Sequence, residues 1–181
     1  MKATIAALAL MLVAAPAVGQ APADPQNTVL LDTKDGRVTI RLRPDIAPKH
    51  VERIKTLTKR GFYDGIVFHR VIPGFMAKTG DPTGTGTGGS DLPNLPAEFT
   101  PTPYKRGSLG MARSQSPNSA NSQFFICFDG CGGLTGQYTL FGEVVSGMEV
   151  VDKIKKGSAA DNGKVVSPDK IVKMQLAADA R

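Results

Sequence analysis

A single cation sits inside an apolar, strand-like run. Val67-Phe68-His69-Arg70-Val71-Ile72-Pro73-Gly74-Phe75-Met76 carries Arg70 in its middle and a Pro-Gly break behind it. A guanidinium has five N–H donors and does not shed its proton, and an uncompensated buried charge is costly. Arg70 is therefore either used by the chemistry or reaches water past its own packed stem, as long basic side chains do. Its use would be as a fixed donor to a lone pair or negative charge that develops during a reaction. The rest of the chain offers no nucleophilic triad, no carboxylate dyad and no ligand cluster. Two histidines, His50 and His69, with two cysteines do not make a zinc-ligand set. His69, next to Arg70, reads as a packed, hydrogen-bonded histidine rather than a proton shuttle. Gly84-Thr85-Gly86-Thr87-Gly88-Gly89 has the glycine spacing of a dinucleotide loop. That loop needs a helix N-terminus directly behind it, and Asp91, Pro93 and Pro96 forbid one here, so a mobile surface loop is expected instead.

These residues need elements to hold them. Thr28 to Leu42 reads as a hairpin, with Lys34-Asp35-Gly36 as the turn and Val38, Ile40 and Leu42 alternating with polar neighbours. Ala47-Pro48 opens a helix that Gly61 ends, with Val51, Ile54 and Leu57 toward the core and the basic residues toward water. Further short strands are expected at Ala97-Glu98-Phe99, Ser108 to Ala112, Gln123 to Phe128, Thr139 to Val145 and Lys170 to Leu176. A second helix is expected from Met148 to Lys155, stopped by Gly157. Two helices among about eight strands leave no room for alternating βαβ units. The pattern is mainly β, that of an antiparallel barrel or sandwich, and a closed barrel with the helices over its two open ends would bury both apolar stripes.

Hydrophobic residues make up 41% and charged residues 21% of 181 residues, which fits one globular domain with a proper core. Met1-Lys2, the apolar stretch Ala3 to Ala15 and the small residues up to Gly19 read as a secretory signal, too short to span a membrane as a helix. We expect a signal peptide over 1–19, an unstructured leader over 20–27 and one domain over 28–181. The formal charge is +6, from 22 basic and 16 acidic residues, and +5 without Lys2. The basic residues of the first helix, Lys49, Arg53, Lys55, Lys59 and Arg60, read as a solvated face. No aromatic residues interleave with them as in a nucleic-acid footprint. Cys127 and Cys131 stand four apart; export permits a bridge, and a buried thiol at Cys127 is the alternative.

Phe68 to Met76 with Gly80-Asp81, then Ser108 to Ala112, Pro117 to Ile126, and Phe141 to Val144 with Gly147-Met148, resemble the sequence blocks of the cyclophilins, the peptidyl-prolyl cis-trans isomerases. The similarity runs in the family's order from about residue 28 to 176. It implies a closed eight-stranded barrel capped by two helices, with Arg70 as the catalytic residue. It also implies Phe75, Met76, Phe125 and Leu134 around a pocket for a proline ring. Gln123 and the backbone at Ala112 and Arg113 would hold the peptide, and Tyr138 stands where the family often has His. Alternation makes Phe124 and Phe125 face opposite ways, and only the resemblance chooses Phe125 for the pocket. The implied partners are proline-containing polypeptides, and we expect a monomer with no cofactor, metal, nucleic acid or stable membrane insertion; the signal peptide suggests the periplasm, with a secretory lumen as the alternative.

Two positions depart from the pattern. Lys78 stands where the family usually has Gln; it donates but cannot accept, and beside Arg70 its charged form is disfavoured. We expect it to weaken peptide binding or to favour acidic flanking residues. Gly133 stands where an aromatic wall is common, so binding of cyclosporin, the family's cyclic peptide inhibitor, is expected to be weak. These departures keep a second reading open, a peptide-binding module with little or no turnover.

Overall fold

The computed structural model describes residues 24–180. The expected signal peptide and residues 20–23 of the expected leader lie outside them. Leader residues Pro25–Asn27 form a 3-10 turn, capped by Asp24, whose carboxylate accepts from Asn27 N at 3.2 Å.

Eight strands form one sheet: β1 (Thr28–Thr33), β2 (Gly36–Leu42), β3 (Arg70–Ile72), β4 (Met76–Thr79), β5 (Ser108–Met111), β6 (Phe124–Cys127), β7 (Leu140–Ser146) and β8 (Lys173–Leu176). Their spatial order is β3-β4-β6-β5-β7-β2-β1-β8, and every neighbouring pair is antiparallel. The hairpin pairs Val29 with Ile40 and Leu31 with Val38. All four side chains are buried, as the alternation requires.

The expected closed barrel is an open, curled sheet. No ladder joins β3 to β8, because β3 has only three residues and the chain beside it is irregular. The seam is carried by isolated pairs, Val67 with Lys170 and Arg70 with Lys164. Backbone bonds reinforce it, from Val71 N to Gly163 O at 2.7 Å and from Phe68 N to Asp169 O at 2.8 Å. Ala97 to Phe99 forms no strand; Leu95 makes a single bridge to Ala120 beside it.

The first helix, α1 (Pro48–Lys59), packs against β7 and β8, and the second, α2 (Met148–Val151), against β2. Val51, Ile54 and Leu57 enter the core as their spacing requires. Arg53 corrects the expectation of a fully solvated basic face. It is only 7% exposed and donates to Asn121 O at 3.0 Å and Pro93 O at 2.6 Å, tying two loops to α1. The start of α1 is capped from far away in sequence, the Glu98 carboxylate accepting from Lys49 N and His50 N at 3.1 Å each. The same carboxylate lies 2.5 Å from His50 Nδ1. Helix α2 is shorter than expected, but i→i+3 bonds carry its turn on to Ile154, which is buried.

The glycine loop behind β4 carries more internal bonding than a mobile loop requires. Asp81, 1% exposed, accepts from Thr83 N at 2.8 Å, Gly86 N at 2.6 Å and Gly88 N at 3.1 Å. Burial alone would raise its carboxyl, but bonds from Thr83, Gly88 and Gly86 outweigh that and bring its pKa down to about 2. A depressed carboxyl stabilises the fold above its unfolded pKa of about 3.9 and loses that effect as pH falls through the folded value. Asp81→Asn should therefore cost about 1–3 kcal/mol at pH 7, the range for unmaking hydrogen bonds to a charged group. Urea unfolding across pH should show the gap to the wild type closing between about pH 4 and pH 2.

Candidate active site

Strand alternation gives the sheet two uses. On β3, β4 and β6, Val71, Ala77, Phe124 and Ile126 point into the main core. Their neighbours Met76, Phe125 and Cys127 belong to a second apolar cluster on the opposite face, with Tyr104, Ala112, Cys131 and Leu140. Register then lines up the site. Arg70 lies opposite Lys78, Lys78 opposite Phe125, and Phe125 opposite Gly110, in one row across four strands. The next row sets Ile72 beside Met76 and Met76 beside Cys127.

The second cluster frames a cavity of about 110 Å³ lined by Arg70, Phe75, Met76, Lys78, Ala112, Arg113, Phe125, Leu134 and Tyr138. Nine of the ten residues expected at the site thus meet around one hollow, well below the roughly 300–1,000 Å³ of drug-sized pockets and suited to a single ring. The tenth, Gln123, lines an adjoining hollow of about 560 Å³ that also touches Lys78, Ala112 and Arg113. The Gln123 amide donates to Gly86 O at 3.1 Å and Gly88 O at 2.7 Å. Those bonds fix its orientation and leave Oε1 a buried acceptor without a partner among the described residues. An extended peptide could supply the missing N–H.

Arg70 is half-buried and its head is held. Nε donates to Asn162 O at 2.8 Å and Nη2 to Asn162 Oδ1 at 2.5 Å. Two of five donors are thereby committed and the others remain for a ligand. Asn162 has φ of 51°, a left-handed conformation that asparagine tolerates better than most residues. The sequence reading missed it. The Asn162-Gly163 pair is a turn signal, but nothing in the sequence connects it to an arginine 92 positions away.

Lys78 shares the cavity with Arg70. Burial first, and the Arg70 charge second, hold its ammonium below the usual lysine range. Arg113 lies over the Tyr138 ring at 4.5 Å and donates to Gln137 O at 3.0 and 3.2 Å. The Tyr138 ring meets Phe125 edge-on at 5.9 Å. His69 is packed as expected, at 8% exposure, but the expected hydrogen bond is absent: neither ring nitrogen has a partner among the described residues. Burial, followed by the Lys78 charge, lowers its pKa below the ordinary histidine value.

Cys127 and Cys131 are bridged, with Cα atoms 5.9 Å apart, inside the normal range. The bridge ties the end of β6 to the 3-10 turn Gly132–Leu134 that presents Leu134 to the cavity. Gly133 is exposed, and a Cβ there would meet open space, so no aromatic wall closes that side. Among the described residues there is no group of three or more metal-ligating side chains, and no helix is long and apolar enough to cross a membrane.

The profile of the family described as "Cyclophilin type peptidyl-prolyl cis-trans isomerase/CLD" matches residues 28–176. The chain belongs to this family. A "Probable peptidyl-prolyl cis-trans isomerase" of Brucella suis is 56% identical over 192 aligned residues, covering 99% of this chain and 98% of the relative. A "Peptidyl-prolyl cis-trans isomerase-like 1" of Aspergillus fumigatus is 39% identical over 152 residues, covering 82% and 94% of the two chains. Among solved structures, a Hirschia baltica cyclophilin superposes with a TM-score of 0.78 at 27% identity, covering 87% of this chain and 76% of its own. A Cryptosporidium parvum cyclophilin-type isomerase crystallised in the presence of the dipeptide Ala-Pro gives 0.76 at 31% identity, covering 82% and 98%.

Gly110 is a second residue the sequence reading did not single out. A Cβ there would come within 2.2 Å of the Tyr104 hydroxyl and 2.3 Å of Phe125 Cζ. Gly110→Ala should push the Phe125 ring into the small cavity. We expect kcat/KM on a prolyl peptide to fall about tenfold and stability by about 1–3 kcal/mol, as for other overpacked sites; steady-state kinetics and urea unfolding check both.

Proposed function

We propose that this protein accelerates cis-trans interconversion of Xaa-Pro bonds in exported polypeptides, with Arg70 as the catalytic group. The observation that carries the reading is a guanidinium anchored by Asn162 at the edge of a ring-sized apolar cavity. Membership of the isomerase family supports it.

The chemistry follows from the amide. Rotation about the prolyl bond must break resonance, at a barrier of about 18–20 kcal/mol, and unaided takes tens to hundreds of seconds. As the bond twists, the prolyl nitrogen becomes pyramidal and recovers a lone pair. A free N–H of Arg70 donates to that lone pair, which the planar ground state hardly offers, so the interaction favours the transition state selectively. Phe75, Met76, Phe125 and Leu134 hold the ring, and their apolar surface suits a twisted amide that has less charge separation than a planar one. Gln123 Oε1 accepts a peptide N–H. No proton is transferred and no covalent bond is formed or broken.

The export reading extends this proposal. It takes residues 1–19 as a signal peptide and 20–27 as a leader before a domain over 28–181, and it places the monomeric protein in the periplasm, with a secretory lumen as the alternative. The Cys127–Cys131 bridge supports an oxidising compartment.

Exchange spectroscopy on an Ala-Pro peptide tests the catalytic assignment. We expect Arg70→Ala to lose about a hundredfold or more of the catalysed rate, the effect of removing one transition-state donor. A wild type that binds the peptide without speeding exchange would instead support the peptide-holding module. The open side at Gly133 argues for weak cyclosporin binding. Titration should give a dissociation constant in the micromolar range or weaker, and nanomolar inhibition would contradict it.

A further inference from the structure

Two adjoining hollows of the cleft carry positive charge alone, whereas a third, on the other side of Arg70 and Lys78, also holds Asp161 and Lys164. The first two share Lys78, Ala112 and Arg113, and Arg70 stands on the wall of the smaller one. These three cations are the only charged side chains lining either hollow, and none of them is in an ion pair among the described residues. Arg70 and Arg113 have their hydrogen bonds committed to the neutral oxygens of Asn162, Gln137, Ser114 and Gln115, which leave their charges in place. Asp81, the carboxylate within electrostatic reach of Lys78, spends its oxygens on the glycine loop and lines neither hollow.

Lys78 is the least compensated of the three. It stands mid-sheet, with Arg70 opposite on β3 and Phe125 opposite on β6, and its ammonium makes no hydrogen bond among the described residues. Like charges set directly across a strand pair are destabilising, so the pair is retained at a cost that an arriving anion would relieve. The larger hollow beside it, about 560 Å³, is otherwise lined by neutral donors and acceptors, among them Ser119, Asn121 and Gln123. A proline ring seated in the smaller hollow would set a flanking residue near the shared wall of Lys78, Ala112 and Arg113.

We propose that Lys78, assisted by Arg113, makes the larger hollow a subsite for a carboxylate side chain, so that the favoured substrates carry Glu or Asp close to the isomerised proline. This rests on the isomerase reading above and names the substrate class of that site. The attraction acts over a half-buried path, where it is stronger than between fully exposed charges, and it weakens as salt shortens the screening length.

The test uses peptides identical except for one residue, Glu, Gln or Lys, placed in turn at the first and second positions on either side of the proline. Catalysed exchange and, separately, the peptide dissociation constant from chemical-shift titration are measured at low and high salt. For the wild type we expect the Glu peptide to exceed its Gln counterpart about five- to tenfold in at least one position, and the Lys peptide to be the poorest. The ratio should approach one in Lys78→Gln and shrink in 0.5 M salt. A Glu-to-Gln ratio near one at every position, or one that Lys78→Gln leaves unchanged, overturns the proposal. Turnover of neutral peptides without any charge preference sinks this inference and leaves the isomerase intact. Absence of turnover sinks the isomerase reading, and the binding ratios still decide the subsite.

Discussion

Each strand that builds the cleft also builds the core. On β3, β4 and β6 the cleft side chains Arg70, Lys78 and Phe125 each have a core side chain as immediate chain neighbour, so their placement is locked to that of Val71, Ala77 and Phe124. A slip of one residue would turn the whole row over. The core face of the curled sheet therefore fixes the site by packing rather than by flexible adjustment. Gly110 shows how tightly the opposite face is filled, since even a methyl group would collide with Phe125.

What the sequence makes legible is what depends on local period. The hairpin, the apolar stripe of α1 and the opposed orientations of Phe124 and Phe125 follow from spacings of two and three residues. Alternation leaves undecided which of the two phenylalanines faces the cleft. Resemblance chose Phe125, and the structure sets that ring in the second cluster. Contacts made by loops were not legible. Arg53 looked solvated because its acceptors, Pro93 O and Asn121 O, come from chain with no periodic signal. Asn162 escaped notice for the same reason, and the glycine loop looked mobile because its anchor, Asp81, acts through backbone N–H groups that any sequence possesses. The open seam between β3 and β8 has no sequence signal, because strand patterns do not reveal where a ladder gives way to isolated pairs.

The site combines a rigid side and a tethered side. Arg70 depends on Asn162 for its direction, because Lys78 opposite it cannot accept a hydrogen bond. Leu134 rides on a turn flanked by glycines, and the Cys127–Cys131 bridge holds that turn against β6. The electrostatics and the packing thus converge on one cavity. Its apolar walls favour a ring, and its cations favour electron density beside it.

The account stands on the idea that a directed guanidinium, rather than positive charge as such, lowers the barrier to rotation. Arg70→Lys separates the two, because lysine keeps the charge but not the planar, doubly anchored fork. Exchange within the bound peptide, measured at saturation together with the dissociation constant, gives the answer. A directed guanidinium requires bound-state exchange to fall about tenfold to a hundredfold while affinity changes much less. Exchange within about twofold of the wild type would contradict it, since charge alone would then suffice.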